Sequence, residues 1–392
     1  MIGRALLASV ATALPLLAAP TAAQTASALG VRAAPADCDP PKGVTRVPGG
    51  EPWAQQRLDI KGAWRLTMGK GVTVAVVDSG VDYKHPQLRL AKFIDETSTG
   101  FRDCVGHGTA VTGIIGARYT QGVPFHGVAP EVRLVMVKQS NAQEGEVATL
   151  VKAIEDAVRA KPDVINVSVR ASDTPQLKAA VENALAQDIV VVAAAGNVTN
   201  EDDEEEPAYP AAYPGVLAVG AATPDGRRAD SSNAATPVDV LAPGTEIIAP
   251  WPGGTYQRGL EGTSFAAPYV TGTAALVRAR FPKLSQEQVQ QRIVATADGT
   301  AGRGTGAGMV NPLLAVTAVL PFEPAGSPVV AAPPPEPLAA DAIAKVPPPD
   351  EAAVNVSMTV GAGALGAAAV AGALAWLIPL GRRRGWRSGR PD

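Results

Sequence analysis

Several residue types that would announce a function are scarce in this chain of 392 residues. Cysteine occurs twice, too few for a small disulfide-scaffold protein and without the spacing of a metal site. An excess of charge of one sign is missing as well. With a net charge of −3 the sequence offers no basic field for nucleic acid as a main partner. Aromatic residues make up only 4% of the chain, while glycines number 40 and prolines 35, the prolines concentrated in its two ends. With three histidines, there are few candidates for a general base, and each can be weighed separately.

What is present is organised around Gly262-Thr263-Ser264-Phe265-Ala266-Ala267-Pro268, a glycine turn that puts a serine at the start of a helix. A serine hydroxyl is a weak nucleophile alone, so Ser264 needs a base, an orienter for the base and donors for an oxyanion. Gly106-His107-Gly108-Thr109 places His107 at a helix start. Val74 to Val77 is a short apolar run that ends on Asp78, and another ends in Ala195-Gly196-Asn197. His85 and His126 lie in turns and read as structural, as does Asp82. No carboxylate pair suits aspartic or glycosidase chemistry.

At these four motifs the chain resembles the subtilisin-like serine proteases, over roughly residues 60 to 318, with the triad in the order Asp, His, Ser. The resemblance implies that Asp78, His107 and Ser264 form the triad, with Asn197 and the Ser264 amide as oxyanion donors. It also implies that Asn166-Val167-Ser168-Val169 offers an edge for an extended peptide, so Ser168, Val169 and Arg170 are the expected substrate-binding residues. Arg170 stands where many relatives have glycine and would narrow or charge the first specificity pocket. Thr112 stands where alanine is commoner. No cofactor and no metal are expected.

Along the chain, residues 1–28 have a basic start, the apolar run Ala5 to Ala19 and small residues including Ala26-Ser27-Ala28, the pattern of a secretory signal. Residues 29–60 lack periodicity and hold Cys38; they read as an extended arm, too short to fold on a core of its own. Pairing Cys38 with Cys104 would staple that arm beside His107. Residues 61–319 form the expected catalytic domain. Near-continuous apolar runs at Val72 to Val77, Val132 to Val137, Val164 to Val169, Ile189 to Ala195 and Val216 to Gly220 alternate with helical spacing at Gln143 to Ala160 and Gln176 to Gln187. That is the pattern of an α/β fold with a central parallel sheet in three layers. After Ser264 a buried helix is expected over Ala267 to Phe281, with Pro268 in its first turn, and a second helix runs from a Ser285/Gln288 capping box to about Ala297. The acidic run Glu201 to Glu206 reads as a solvated loop, with a calcium site or a patch favouring basic substrates as the alternatives.

Residues 320–355 are a Pro/Ala-rich spacer. Val356 to Leu380 is then uncharged for 25 residues, about 37 Å as helix against a hydrocarbon core of about 30 Å. Residues 381–392 carry Arg382, Arg383, Arg384 and Arg387, marking the cytoplasmic end of a span at 356–380 and an outward-facing catalytic domain. The whole arrangement is similar to the mycosins, membrane-anchored subtilisin-like proteases of type VII secretion systems. It implies a serine endopeptidase acting on few peptide or protein substrates at the cell membrane, in contact with the secretion complex. A general surface protease and a mainly structural component of such a complex stay open as alternatives.

Overall fold

The computed structural model describes Cys38, Pro40 and residues 42–47, 49–142, 145–198, 205–299, 302–321, 323 and 351–385. The expected signal segment and most of the spacer lie outside these residues.

Seven strands form one parallel sheet: β1 (Thr73–Asp78), β2 (Leu90–Asp95), β3 (Arg133–Lys138), β4 (Val164–Val167), β5 (Val190–Ala194), β6 (Leu217–Ala222) and β7 (Val240–Pro243), in the order β2-β3-β1-β4-β5-β6-β7. Side chains alternate across a strand, so each apolar run feeds two cores. Val74 and Val76 of β1 enter the larger core, with Ile114, Ile115, Val270 and Leu276. Ala75 and Val77 enter the smaller one, with Leu150, Ile154, Leu177 and Val181. Helices α3 (His107–Gly116) and α6 (Thr263–Arg280) therefore cover one face, and α4 (Val147–Arg159) and α5 (Pro175–Ala186) cover the other. This is the three-layer α/β architecture that the alternation of runs predicts.

Register fixes where the chemistry lies. β1 pairs with β3 on one side and β4 on the other, Val77 standing opposite both Val137 and Val167. Chain order thus reverses across β1, and the crevice beyond the carboxyl ends of such strands is where ligands bind in open α/β sheets. Asp78 is the last residue of β1, at that carboxyl end.

Four strands escape the periodicity reading. β2 is an edge strand whose Ala91 and Lys92 are exposed, so it carries no unbroken apolar run. β7 is only four residues long, and β8 (Ile247–Trp251) with β9 (Thr255–Leu260) forms a separate antiparallel hairpin. The arm is also less extended than expected. Helices α1 (Trp53–Arg57) and α2 (Ile60–Trp64) begin inside it, and Ala54, Leu58 and Ile60 are buried in the larger core. Such short pieces show no period in sequence; tertiary burial makes them helical. Upstream, Val44 pairs with Tyr256 of the hairpin through both backbone hydrogen bonds, at 2.7 and 2.8 Å.

The capping box at Ser285 and Gln288 is formed, starting α7 (Gln286–Ala295), and α8 (Pro312–Thr317) follows. Helix α6 starts four residues earlier than expected, at Thr263. Pro268 is therefore the sixth residue of the helix, beyond the first turn, and it cannot donate to the Ser264 carbonyl four residues back. The remaining described unit is α9 (Glu351–Arg383), whose stretch Val356–Arg383 is long and apolar enough to cross a membrane, with Pro379 inside it.

Candidate active site

Asp78 is fully buried, and its Oδ1 accepts from the Ser79 amide at 2.7 Å and from His107 Nδ1 at 2.8 Å. Because a carboxylate only accepts, the imidazole carries its proton on Nδ1, which leaves Nε2 as the basic nitrogen. His107 is 6% exposed. Burial disfavours its charged form, but the Asp78 charge and hydrogen bond, with a further contribution from Asp103, outweigh that and hold its pKa above the ordinary histidine value.

His107 opens α3 behind Gly106, which has φ +82°. A Cβ there would come within 2.3 Å of the Trp251 ring, so only glycine allows both the turn and this close packing. Phe265 of α6 packs against the imidazole with ring centroids 5.2 Å apart.

Ser264 is the second residue of α6, half-buried, after Gly262 with φ +134°. First-turn amides of a helix have no intrahelical acceptor, so the Ser264 N–H is available to a ligand. Ser264 and His107 line one cavity of about 220 Å³ together with Ser168, Val169, Arg170, Asn197 and Glu261. No Ser264–His107 hydrogen bond is made among the described residues; such contacts commonly tighten only with substrate bound.

Asn197 follows β5 and Gly196, whose φ is +91°. Its Oδ1 accepts from the Thr263 amide at 2.9 Å and from Thr263 Oγ at 3.1 Å. With the oxygen engaged, the amide must present Nδ2 elsewhere, and this nitrogen lies 3.1 Å from where a Cβ at Gly262 would stand. The geometry puts a side-chain donor and the Ser264 amide on one cavity.

The segment expected to pair with a peptide needs correction. Asn166 and Val167 are interior to the sheet, paired to both β1 and β5, so their backbone offers no free edge. The part that lines the cavity is Ser168 to Arg170, just beyond β4, with Ser168 and Val169 buried and Arg170 exposed. Asn166 instead ties the layers together, donating to Ser168 Oγ at 2.9 Å and accepting from Thr271 Oγ at 2.8 Å.

Cys38 and Cys104 form a disulfide with Cα atoms 4.4 Å apart, and Arg102 Nη2 donates to the Cys38 carbonyl at 2.8 Å. Five arm residues from Cys38 to Thr45 line a different cavity, shared with Val81 to Lys84 and Pro252, and no described arm residue lines the one that holds Ser264. His85 and His126 stand apart from the site. His85 is bonded to the Thr255 carbonyl, and His126 to Glu51 of the arm. Asp82 accepts from the Gly253 and Gly254 amides of the hairpin turn, which is a structural role. Residues 201–204 of the acidic run lie outside the described residues, while Glu205 pairs with Arg303 at 2.7 Å. Among the described residues no group of three or more metal-ligating side chains occurs.

Thr263, Ser79 and Asp103 were not singled out by sequence reasoning. Thr263 sits inside the serine motif, and a hydroxyl next to a nucleophile was the one signal that could have drawn attention to it. Asp103 is 4% exposed, and burial raises its carboxyl pKa despite hydrogen bonds from Thr109 and Gly106.

Residues 69–312 match the subtilase family, Peptidase_S8. Subtilisin E from Bacillus subtilis is 38% identical over 234 residues, 58% of this chain and 61% of that protein, so the chain spans about three fifths of the length of that curated relative. Among solved structures, MycP1 from Mycobacterium smegmatis is 30% identical with a TM-score of 0.63, covering 74% of this chain and 94% of that one. The MycP3 protease from the type VII (ESX-3) secretion system is 31% identical with a TM-score of 0.61, covering 71% and 94%. The family match, the parallel sheet and the shared cavity of Asp78-bound His107 and Ser264 all agree: this chain belongs to the subtilase family.

Proposed function

We propose that this protein is a membrane-anchored serine endopeptidase, with Ser264 as nucleophile, His107 as general base and Asp78 as the group that orients the base. Ser264 Oγ attacks the carbonyl carbon of a peptide bond while His107 Nε2 takes its proton. The same nitrogen returns the proton to the leaving amine, and water then releases the acyl group by the same route. Asp78 stabilises the imidazolium that forms in between. The negative oxygen of the tetrahedral intermediate is held by Asn197 Nδ2 and the Ser264 amide at the positive end of α6.

The observation that carries this reading is the buried 2.8 Å contact of His107 Nδ1 with Asp78, opening on the cavity that Ser264 and Asn197 line. Ser168 to Arg170 would bind the substrate chain, with Arg170 restricting the first pocket. The apolar helix α9 supports anchoring, with the catalytic domain outside the cytoplasmic membrane as the basic residues after it suggest. Likeness to MycP1 and MycP3 supports a place beside a type VII secretion complex and a narrow set of exported protein substrates.

The test is labelling of the full-length chain by a fluorophosphonate that reacts with activated serines, beside Ser264→Ala. Labelling confined to the unsubstituted protein is expected without any cleavage of the arm, since the described arm residues stay clear of the cavity. No labelling before or after arm cleavage would discard the assignment.

A further inference from the structure

The catalytic pair is held from beneath by a second carboxylate. Three segments meet under His107: the loop after β1, the turn before α3, and the first turn of α3. They meet backbone to backbone. A Cβ at Gly108 would lie 2.1 Å from the Gly80 carbonyl oxygen, and one at Gly80 would lie 3.0 Å from that of Arg102. No side chain can interlock at such a junction, so polar contacts must set its spacing.

Those contacts converge on Asp103. Its Oδ1 accepts from Ser79 Oγ at 3.0 Å, the Val105 amide at 3.2 Å and the Gly106 amide at 2.8 Å. Its Oδ2 accepts from the Thr109 amide at 2.8 Å and Thr109 Oγ at 2.6 Å. Ser79 completes the bridge. Its hydroxyl donates to Asp103 and accepts from the Gly108 amide at 3.0 Å, while its own amide donates to Asp78. One carboxylate thus grips the residue after Asp78 and the residues on both sides of His107.

We propose that Asp103 is a positioning residue for the Asp78–His107 pair, acting through Ser79 to hold the loop after β1 at a fixed distance from the start of α3. The inference rests on the triad reading above. Asp103 is itself held by the turn that Lys138 anchors. The Lys138 ammonium is fully buried and donates to the Arg102 carbonyl at 2.6 Å and to the Gly100 carbonyl at 3.2 Å. The charged groups that bear on His107 are Asp78 from β1, Asp103 from the turn, and Arg170 and Glu261 across the cavity, with Lys138 facing Asp103 from β3. A residue that merely caps α3 would need only the Gly106 and Thr109 contacts. The Ser79 bridge is what a positioning role adds.

Two variants of the full-length chain separate charge from geometry. Ser79→Ala keeps the Asp103 charge and deletes the bridge. Fluorophosphonate labelling of Ser264 should slow roughly tenfold or more, because small misplacements of a catalytic group have such costs. The pH at which labelling falls off on the acid side should stay put. Asp103→Asn removes a negative charge near the imidazole, so this acid limb should move to lower pH as the rate falls. The second readout is NMR titration of the histidine rings in a Ser264→Ala background, which needs no turnover. Of the three histidines, His85 and His126 serve as internal controls, and only His107 should respond to either variant.

An unchanged His107 resonance and labelling rate in folded Ser79→Ala would overturn the proposal and leave Asp103 as a helix cap. If Asp103→Asn fails to fold, Ser79→Ala decides alone. A protein that never labels, yet whose His107 ring responds to Ser79→Ala, would overturn the protease reading and leave the positioning role standing.

Discussion

Removing the disulfide should lower stability sharply and leave the site assembled. Cys38 and Cys104 are 66 residues apart in sequence. Closing a loop of that length in the unfolded chain removes conformational entropy worth roughly 4 kcal/mol at 25 °C. The folded state loses little by comparison, because the arm keeps other anchors. Val44 and Tyr256 exchange two backbone hydrogen bonds, and Leu58 and Ile60 are 3% and 0% exposed. For a domain of this size each kcal/mol corresponds to about 2–4 °C, so the Cys38→Ala/Cys104→Ala chain should unfold roughly 8–16 °C lower. Calorimetry of the full-length protein, oxidised against the double variant, measures the difference, and fluorophosphonate labelling at 25 °C reports on the site. A drop smaller than about 3 °C would refute the loop-closure account. A normal drop with labelling abolished at 25 °C would refute the claim that Val44, Leu58 and Ile60 suffice to seat the arm.

Other outcomes follow from the site. Asn197→Ala should reduce kcat by roughly 10²–10³ with little change in KM, as loss of an oxyanion donor does; that magnitude is known from an asparagine of a subtilisin in this same family, and steady-state kinetics on a peptide ester checks it. Activity should be lost on acidification at a pH above that of an ordinary histidine, because the base must be neutral and its folded pKa is raised; Asp78→Asn should move that limb downward in a pH–rate profile. The sign for stability is opposite: the contribution of His107 is fully present below its unfolded pKa and is lost as pH rises through the raised folded one, so Asp78→Asn should narrow the gap in unfolding free energy between mildly acid and alkaline pH. Thr112 has a fully buried hydroxyl without a partner among the described residues, so Thr112→Val should raise stability by about 1 kcal/mol in denaturant unfolding. Gly106→Ala should cost about 1–3 kcal/mol for its backbone conformation alone, with Trp251 adding to it, and labelling should fall with it.

Much of this molecule can be read from residue patterns, and the reason is local. β1, β3, β4, β5 and β6 are buried on both faces, so each must be a near-continuous apolar run, and such runs are visible in one dimension. Asp78, His107, Asn197 and Ser264 sit at element ends next to glycines that only special backbone angles require, and those positions too are marked in sequence. The capping box of α7 is written in two residues, and the apolar length of α9 in an uncharged stretch of sequence. Features that depend on the far side of a contact are not marked in this way. β2 is legible only as the neighbour of β3, and α1 and α2 only as chain pressed against the core. Asn166 and Val167 belong to a strand whose two edges were already taken by β1 and β5, which no run of residues can disclose. Asp103 has the weakest local signature of all. It is one carboxylate in a turn, and although four of its five hydrogen bonds come from the next six residues, the fifth, from Ser79, exists only because the fold brings the end of β1 to that turn.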